Sequence, residues 1–338
     1  CESTCPSGVQ YGHLLDIGRK IVDAKVPRPT PEKALRWALK EGLPSPLFAP
    51  AMKMGQAVRG LLPAALQAKV PAKQEAGAWP TRSHARKVLM LAGCVQPSMM
   101  PNINAATARV LDAAGIQTVI APKAGCCGAV KFHLNDQDGG RAEMRANIDA
   151  WWPMIASGEV EALVMNASGC GVTVREYGHF LKDEPAYAAK AQRIGELTRD
   201  LSELLPAIVA ALRQSRPERV PGPPAGDAGA GRHLAFHPPC SLQHGQQLRG
   251  AVEQHLAAFG FKVQVARSES HLCCGSAGTY SVLNPDLSHQ LRDRKLGHLG
   301  ELEPDVIVSA NIGCITHLQS GTPTPVRHWV EVLDEHLR

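Results

Sequence analysis

Ten cysteines constrain this chain of 338 residues more than any other feature. Eight of them fall into two sets with one layout: Cys94, Cys126-Cys127 and Cys170, then Cys240, Cys273-Cys274 and Cys314. Corresponding cysteines lie 146, 147, 147 and 144 residues apart, so the sequence carries an internal repeat. A single cysteine is by default a small buried apolar residue. Eight thiols in register displace that default in favour of iron or zinc. Disulfides fit less well, because an adjacent pair closes a strained eight-membered ring and small disulfide scaffolds rarely reach this length. A reducing, cytoplasmic setting follows.

The length points to two domains plus an extension, which the repeat period supports. Hydrophobic residues make up 44%, charged residues 20% and aromatics only 4%, so the core is expected to be aliphatic. The net charge of +5 is spread along the chain without a basic run, which argues against nucleic acid as a partner. No stretch reaches the roughly 18 uninterrupted apolar residues of a membrane span. The sequence opens on Cys1, with neither an initiator Met nor a basic and apolar leader, and an upstream segment is therefore expected.

Residues 7 to about 66 read as helical, with Leu14, Leu15, Ile17, Ile21 and Val22, then Ala34, Leu35, Ala38 and Leu39, at helical spacing. Pro27, Pro29 and Pro31 separate the two runs, and Thr30-Pro31 reads as a helix cap. In the first repeat an apolar strand runs from Lys87 towards Cys94. A helix over 105–114, a strand over 117–121, a helix over 141–156 and a strand over 162–166 follow. The second repeat has strands at 232–236, 262–266 and 306–310, with helices ending at Gly260 and spanning about 287–299. The expected organisation is 1–70, a linker 71–86, a first domain 87–215, a Pro/Gly connector 216–231 and a second domain 232–338. Alternating strands and helices imply an α/β fold with parallel sheets. Each cysteine then follows a strand, at the edge where open α/β sheets bind ligands.

Four thiolates per repeat suit either a [4Fe-4S] cluster or tetrahedral zinc. The C-x2-C knuckle common in structural zinc sites is absent from both repeats, because Ala167 and Asn311 stand three residues before the last cysteine. The Cys1-Glu2-Ser3-Thr4-Cys5-Pro6 stub matches the end of the C-x2-C-x2-C-x3-C-P run of two-cluster ferredoxins. Cys1 would be the third ligand of one cluster and Cys5 would serve its neighbour, with six further cysteines expected upstream. Gly125, Gly128, Gly169, Gly275 and Gly313 would let backbone amides approach the sulfurs.

GCCGAV and LCCGSAGTY, each about 32 residues after a cysteine, resemble the CCG domains of the heterodisulfide reductase B family. Together with CESTCPSGVQYGHLLDIGR, GCVQPSMMPNINAATARVLDAAGI, NIDAWWP, NASGCG, NIGCITHL and VRHWVEVL, they resemble the family of glycolate oxidase iron-sulfur subunits. The resemblance implies two Rossmann-like CCG domains preceded by the helical remnant of a two-cluster ferredoxin-type domain. It implies Cys1 and Cys5 as ligands of [4Fe-4S] clusters, two when the segment is complete. It also implies Cys94, Cys126, Cys127, Cys170, Cys240, Cys273, Cys274 and Cys314 as metal ligands, with iron-sulfur or zinc at each CCG site. The implied partners are FAD-containing glycolate oxidase subunits and a quinone or other membrane acceptor. The implied place is cytoplasmic, peripheral on the inner face of the cytoplasmic membrane. Glycolate would be oxidised to glyoxylate on the flavoprotein, since no G-x-G-x-x-G fingerprint occurs in this sequence.

Ala167 and Asn311 depart from a fuller pattern that has a fifth cysteine at those positions. The alternatives carried forward are a lactate or glycerol-3-phosphate dehydrogenase subunit, a CCG-type disulfide reductase and a zinc scaffold. His237, His244, His271 and His317 lie near the cysteines and read first as structural histidines. Trp151 and Trp152 read as packing residues, while Arg327-His328-Trp329 reads equally as core or as a docking face.

Overall fold

The computed structural model describes residues 5–67, 69–223 and 232–338. Cys1 and residues 224–231 of the Pro/Gly connector lie outside the described residues. Each repeat builds one four-stranded, fully parallel sheet. The first contains β1 (Arg86–Met90), β2 (Ile116–Val119), β3 (Ala162–Met165) and β4 (Thr198–Asp200) in the order β2-β1-β3-β4. The second contains β5 (His233–His237), β6 (Lys262–Val265), β7 (Val306–Ser309) and β8 (Val326–His328) in the order β6-β5-β7-β8. The apolar runs form the central strands because helices cover both sheet faces: Val88, Leu89 and Met90 of β1 are fully buried, as is the whole of β7.

A fourth strand in each repeat was not expected. β4 and β8 are only three residues long, Thr-Arg-Asp and Val-Arg-His, too short and too polar to show a period. The helix expected from Ala105 begins at Pro101, whose fixed φ suits a first helical turn. Thr30 does not cap: it is the first residue of the helix Thr30–Gly42, and the residue before it, Pro29, has no side chain to donate or accept.

Successive β1 residues feed opposite faces of the first sheet. Leu89 joins Phe132, Met144, Trp151, Leu163 and Tyr177 in a cluster belonging to the first repeat. Val88 joins Ile103, Val110, Leu111 and Val164, and the same buried cluster continues without a break through Leu234, Phe236, Val308, Trp329 and Leu333 of the second. The link is made by the last helix, Trp329–Leu337, which packs on the helix Pro101–Ala113. Arg109 clamps Asp334 across it with two parallel hydrogen bonds of 2.9 and 2.8 Å, and Asn102 donates to Glu331. Trp329 is fully buried, which resolves the Arg327-His328-Trp329 segment in favour of core packing. Trp151 is likewise fully buried.

Among the described residues, four α-helices precede the first sheet: Tyr11–Lys25, Thr30–Gly42, Phe48–Ala57 and Ala64–Gln67. They are held to the first repeat by polar contacts such as Lys40 to Asp136 at 2.9 Å and the His13 ring stacked on His179 at 3.7 Å. Leu14, Leu15, Ile17, Ile21 and Val22, the residues that define the helical period, are all at least half exposed. Among the described residues, nothing covers that apolar face.

His328 joins the repeats through its ring. Nε2 donates to the carbonyl of Asn166 at 2.9 Å, while Nδ1 accepts from the amide of Val330 at 3.1 Å and so caps the last helix. Burial holds its pKa down from 6.5 to about 3. The folded chain therefore refuses a proton that the unfolded chain accepts, and stability is lost as pH falls below 6.5, by about 1.4 kcal/mol per unit. Asp200, raised by burial from 3.8 to about 6, acts in the opposite sense, its stabilisation being lost as pH rises through that window. The share due to His328 is therefore read by difference: urea unfolding between pH 7 and 4.5 is expected to show that slope in the parent chain relative to His328→Gln.

Candidate metal centres

In a sheet of order 2-1-3-4 the chain leaves the first and third strands in opposite directions, and the crevice beyond their C-terminal ends is where such sheets bind ligands. Both repeats fill this crevice with thiols. Cys94 follows β1, Cys126-Cys127 follow β2, and Cys170 is the third residue of the helix Ser168–Arg175 that follows β3. Cys240, Cys273-Cys274 and Cys314 take the matching places, Cys314 being the third residue of the helix Ile312–Gln319. Helix N-terminal amides favour a thiolate there.

The thiols of each set interact. Cys126 contacts Cys127 and Cys94, and Cys127 contacts Cys170. The second set repeats this chain, with Cys273 between Cys274 and Cys240, and Cys274 against Cys314. The central member is pulled down by its neighbours' S–H groups and by a glycine amide, Cys126 to about 3 and Cys273 to about 2. The same contacts push Cys94, Cys127, Cys240 and Cys274 up. Cys314 is drawn down to about 5, first by Cys274. One thiolate thus suppresses the next, and a bound cation would release the remaining protons.

Backbone geometry at Gly128 and Gly275 explains the shared C-C-G. Both are left-handed, at φ +92° and +88°, and an added Cβ would lie 2.7 Å from the carbonyl oxygen of Gly140 and 2.3 Å from that of Ser288. The turn that presents the paired cysteines therefore has no room for a side chain. The amide of Gly275 donates to Cys273 Sγ at 3.3 Å, and that of Gly128 contacts Cys126. Gly125 and Gly169 do not follow the expectation. Their amides donate to the side-chain oxygens of Asn147, at 2.8 Å, and Asn311, at 3.4 Å.

Asn147 and Tyr177, neither singled out by sequence, hold the first loop. Asn147 Nδ2 donates to the Cys126 carbonyl at 2.6 Å and the Tyr177 hydroxyl donates to the Cys127 carbonyl at 2.9 Å. Glu143 lies beside Cys126, where burial and the adjacent thiolate raise its pKa to about 8 against the opposing pull of the Lys131 ammonium 3.3 Å away. In the second repeat the buried Lys295 donates to the carbonyls of Glu269 and Ser270, just before Cys273. Burial lowers its pKa, opposed first by the nearby Cys240 and Cys274 side chains.

Ala167 and Asn311, the two places without a fifth cysteine, are the residues preceding the Cys170 and Cys314 helices. Asn311 Nδ2 donates to Cys314 Sγ at 3.7 Å while its Oδ1 accepts from Gly169, the neighbour of Cys170. The two crevices therefore share a wall. Ser168 strengthens it, its amide donating to the Ala310 carbonyl at 3.0 Å and its hydroxyl meeting that of Ser241 at 2.8 Å. Of the four histidines, His244 pairs with the His271 carbonyl and His317 with Ser288, which makes them structural. Cys5 is partly exposed, and the amides of Val9 and Ser7 lower its pKa; Cys1 lies outside the described residues.

The cysteine-rich domain family called CCG matches residues 88–175 and again 234–319. A glycolate oxidase iron-sulfur subunit of Escherichia coli (strain K12) is 50% identical over the whole of this chain, which spans 80% of that protein. The chain belongs to the family of glycolate oxidase iron-sulfur subunits. A "Probable glycolate oxidase iron-sulfur subunit" of Bacillus subtilis (strain 168) is 28% identical over 95% of this chain and 75% of its own length. A lactate utilization protein A of Bacillus licheniformis is 26% identical over 73% of this chain and 99% of its own length.

The donor chemistry fits what the family name states. Soft sulfur ligands, thiolates already depressed in pKa and amides aimed at sulfur are the provisions an iron-sulfur cluster requires. Gly128→Ala and Gly275→Ala in this family member are each expected to cost well over about 1 kcal/mol, because a Cβ is forced into a left-handed, occupied position. Each is expected to empty its own site and spare the other, as checked by metal content after anaerobic purification.

Proposed function

We propose that this chain is the electron-carrying subunit of a glycolate-oxidising complex, receiving electrons from a flavoprotein partner and passing them to a quinone at the cytoplasmic face of the membrane. The observation that carries the reading is the pairing of two thiol-lined crevices at adjoining sheet edges in a chain of this family. In the proposal Cys94, Cys126, Cys127 and Cys170 hold a [4Fe-4S] cluster, and Cys1 and Cys5 each serve one cluster of the ferredoxin-type segment. Such clusters supply one-electron transfer at potentials set by charge, solvent exposure and hydrogen bonds to sulfur.

The protein's own part is positioning and electrostatics. Asn147 and Tyr177 fix the carbonyls of Cys126 and Cys127, and the Gly128 amide and Glu143 moderate charge at Cys126. Asn311 ties Cys314 to the turn bearing Cys170 and so keeps the two crevices in register. The exposed apolar face of Tyr11–Lys25 supports contact with a partner or with the membrane surface. Among the described residues no helix is long and apolar enough to cross a membrane, which is compatible with a peripheral position. No observation favours a disulfide reductase: Asn311 occupies the place of the fifth cysteine and its amide is already engaged.

The test is Cys126→Ala in the full complex, purified anaerobically. The expected result is loss of one low-temperature EPR signal and at least a tenfold fall in glycolate-to-quinone turnover, with dye reduction at the flavoprotein retained. Retention of every EPR signal and of full quinone turnover would remove the first repeat from the electron path.

A further inference from the structure

The repeats differ three residues before their first cysteine, where Leu91 stands in one and His237 in the other. Leu91 packs with Leu89, Met165 and Cys127 as an ordinary core residue. His237 ends β5, and its carbonyl is tied by Ser309 Oγ at 2.9 Å, so its backbone is fixed while its ring occupies the crevice. The residue is 1% exposed, and no oxygen or nitrogen atom pairs with either of its ring nitrogens; what the ring contacts is the Cys314 thiol. His244 and His317 are engaged by the His271 carbonyl and by Ser288, whereas His237 is left to sulfur.

What the ring faces is sulfur. A ring nitrogen of His237 and the Sγ atoms of Cys274 and Cys314 all lie within 4.8 Å of one another. In a tetrahedral site with bonds of about 2.0–2.3 Å, a nitrogen and a sulfur, or two sulfurs, are separated by about 3.5–3.8 Å. The trio therefore needs only a small contraction to close around one ion. The first thiol set forms no such trio among the described residues.

We infer that His237 is a metal ligand and that the second repeat holds a single tetrahedral ion of the zinc class through His237, Cys274, Cys314 and a third thiolate from Cys240 or Cys273. The repeats are then functionally unequal. The all-thiol first site carries electrons, and the mixed second site sets the structure of the wall it shares with the first. A d10 ion bound there takes no part in redox chemistry. This assignment stands on the geometry of the second repeat and does not depend on glycolate as the substrate.

The test is metal analysis and X-ray absorption at the zinc and iron edges on the anaerobically purified complex, without added metal. The expected result is about one zinc per chain with a shell of three sulfurs and one nitrogen. His237→Ala is expected to lose the nitrogen and to release zinc to a chelator at least tenfold more readily, with iron content and EPR signals unchanged. His237→Cys is expected to keep zinc in an all-sulfur shell. An all-sulfur shell in the parent protein, a nitrogen shell that survives His237→Ala, or iron in place of zinc at the second site would each overturn the assignment. The parent spectrum decides even where a variant fails to fold. Loss of quinone turnover in Cys126→Ala with the zinc shell intact would bear on the electron path alone.

Discussion

Four thiols crowded into one crevice cannot all ionise. Cys126 and Cys273 keep their charge because flanking S–H groups and a glycine amide stabilise it, and this is what drives Cys94, Cys127, Cys240 and Cys274 towards the protonated form. A positively charged centre reverses the arrangement by making every thiolate a favourable neighbour. Metal binding is then coupled to proton release and to the order of the loops that carry the cysteines. The shape of both crevices is intelligible as the shape that permits this crowding.

The fold meets the requirement twice with one device. A parallel sheet of order 2-1-3-4 opens a crevice at its switch point, a Gly in a left-handed turn brings two adjacent cysteines to it, and a helix N-terminus presents the last one. Packing of the repeats then brings the two crevices against each other. The continuous core from Val88 to Leu333, the Arg109–Asp334 clamp and the His328–Asn166 bond hold the sheets in that relation. Asn311 is the point of closest dependence, bonded at once to Cys314 and to the turn of Cys170.

The central strands were legible because burial on both faces leaves uninterrupted apolar runs such as Val88 to Leu91 and Val306 to Val308. The convergence of the thiols was legible from register alone, since all four cysteines of each repeat follow a strand. Other features left no such trace. β4 and β8 are too short to carry a period, and the helix expected between Cys240 and Gly260 is broken into a π-helical turn, Ser241–Gly245, and a helix, Ala251–Ala258. Asn147 and Tyr177 act through carbonyls 21 and 50 residues away in sequence, a relation no local pattern encodes. The exposed stripe of Tyr11–Lys25 had the period of a buried one, because periodicity reports a face and not what covers it. The frequency of histidines reads His237 as structural, and only its place against the Cys274 and Cys314 sulfurs sets it apart.

The central claim is that the chain stores and carries electrons withdrawn from glycolate by its partner. The most direct measurement is a reductive titration of the intact anaerobic complex with glycolate in the absence of any acceptor, followed optically and by EPR. The account predicts uptake beyond the two electrons that a flavin can hold, with iron-sulfur signals appearing as the excess is taken up. Uptake that stops at the flavin, with the iron-sulfur signals unchanged by glycolate, would contradict it.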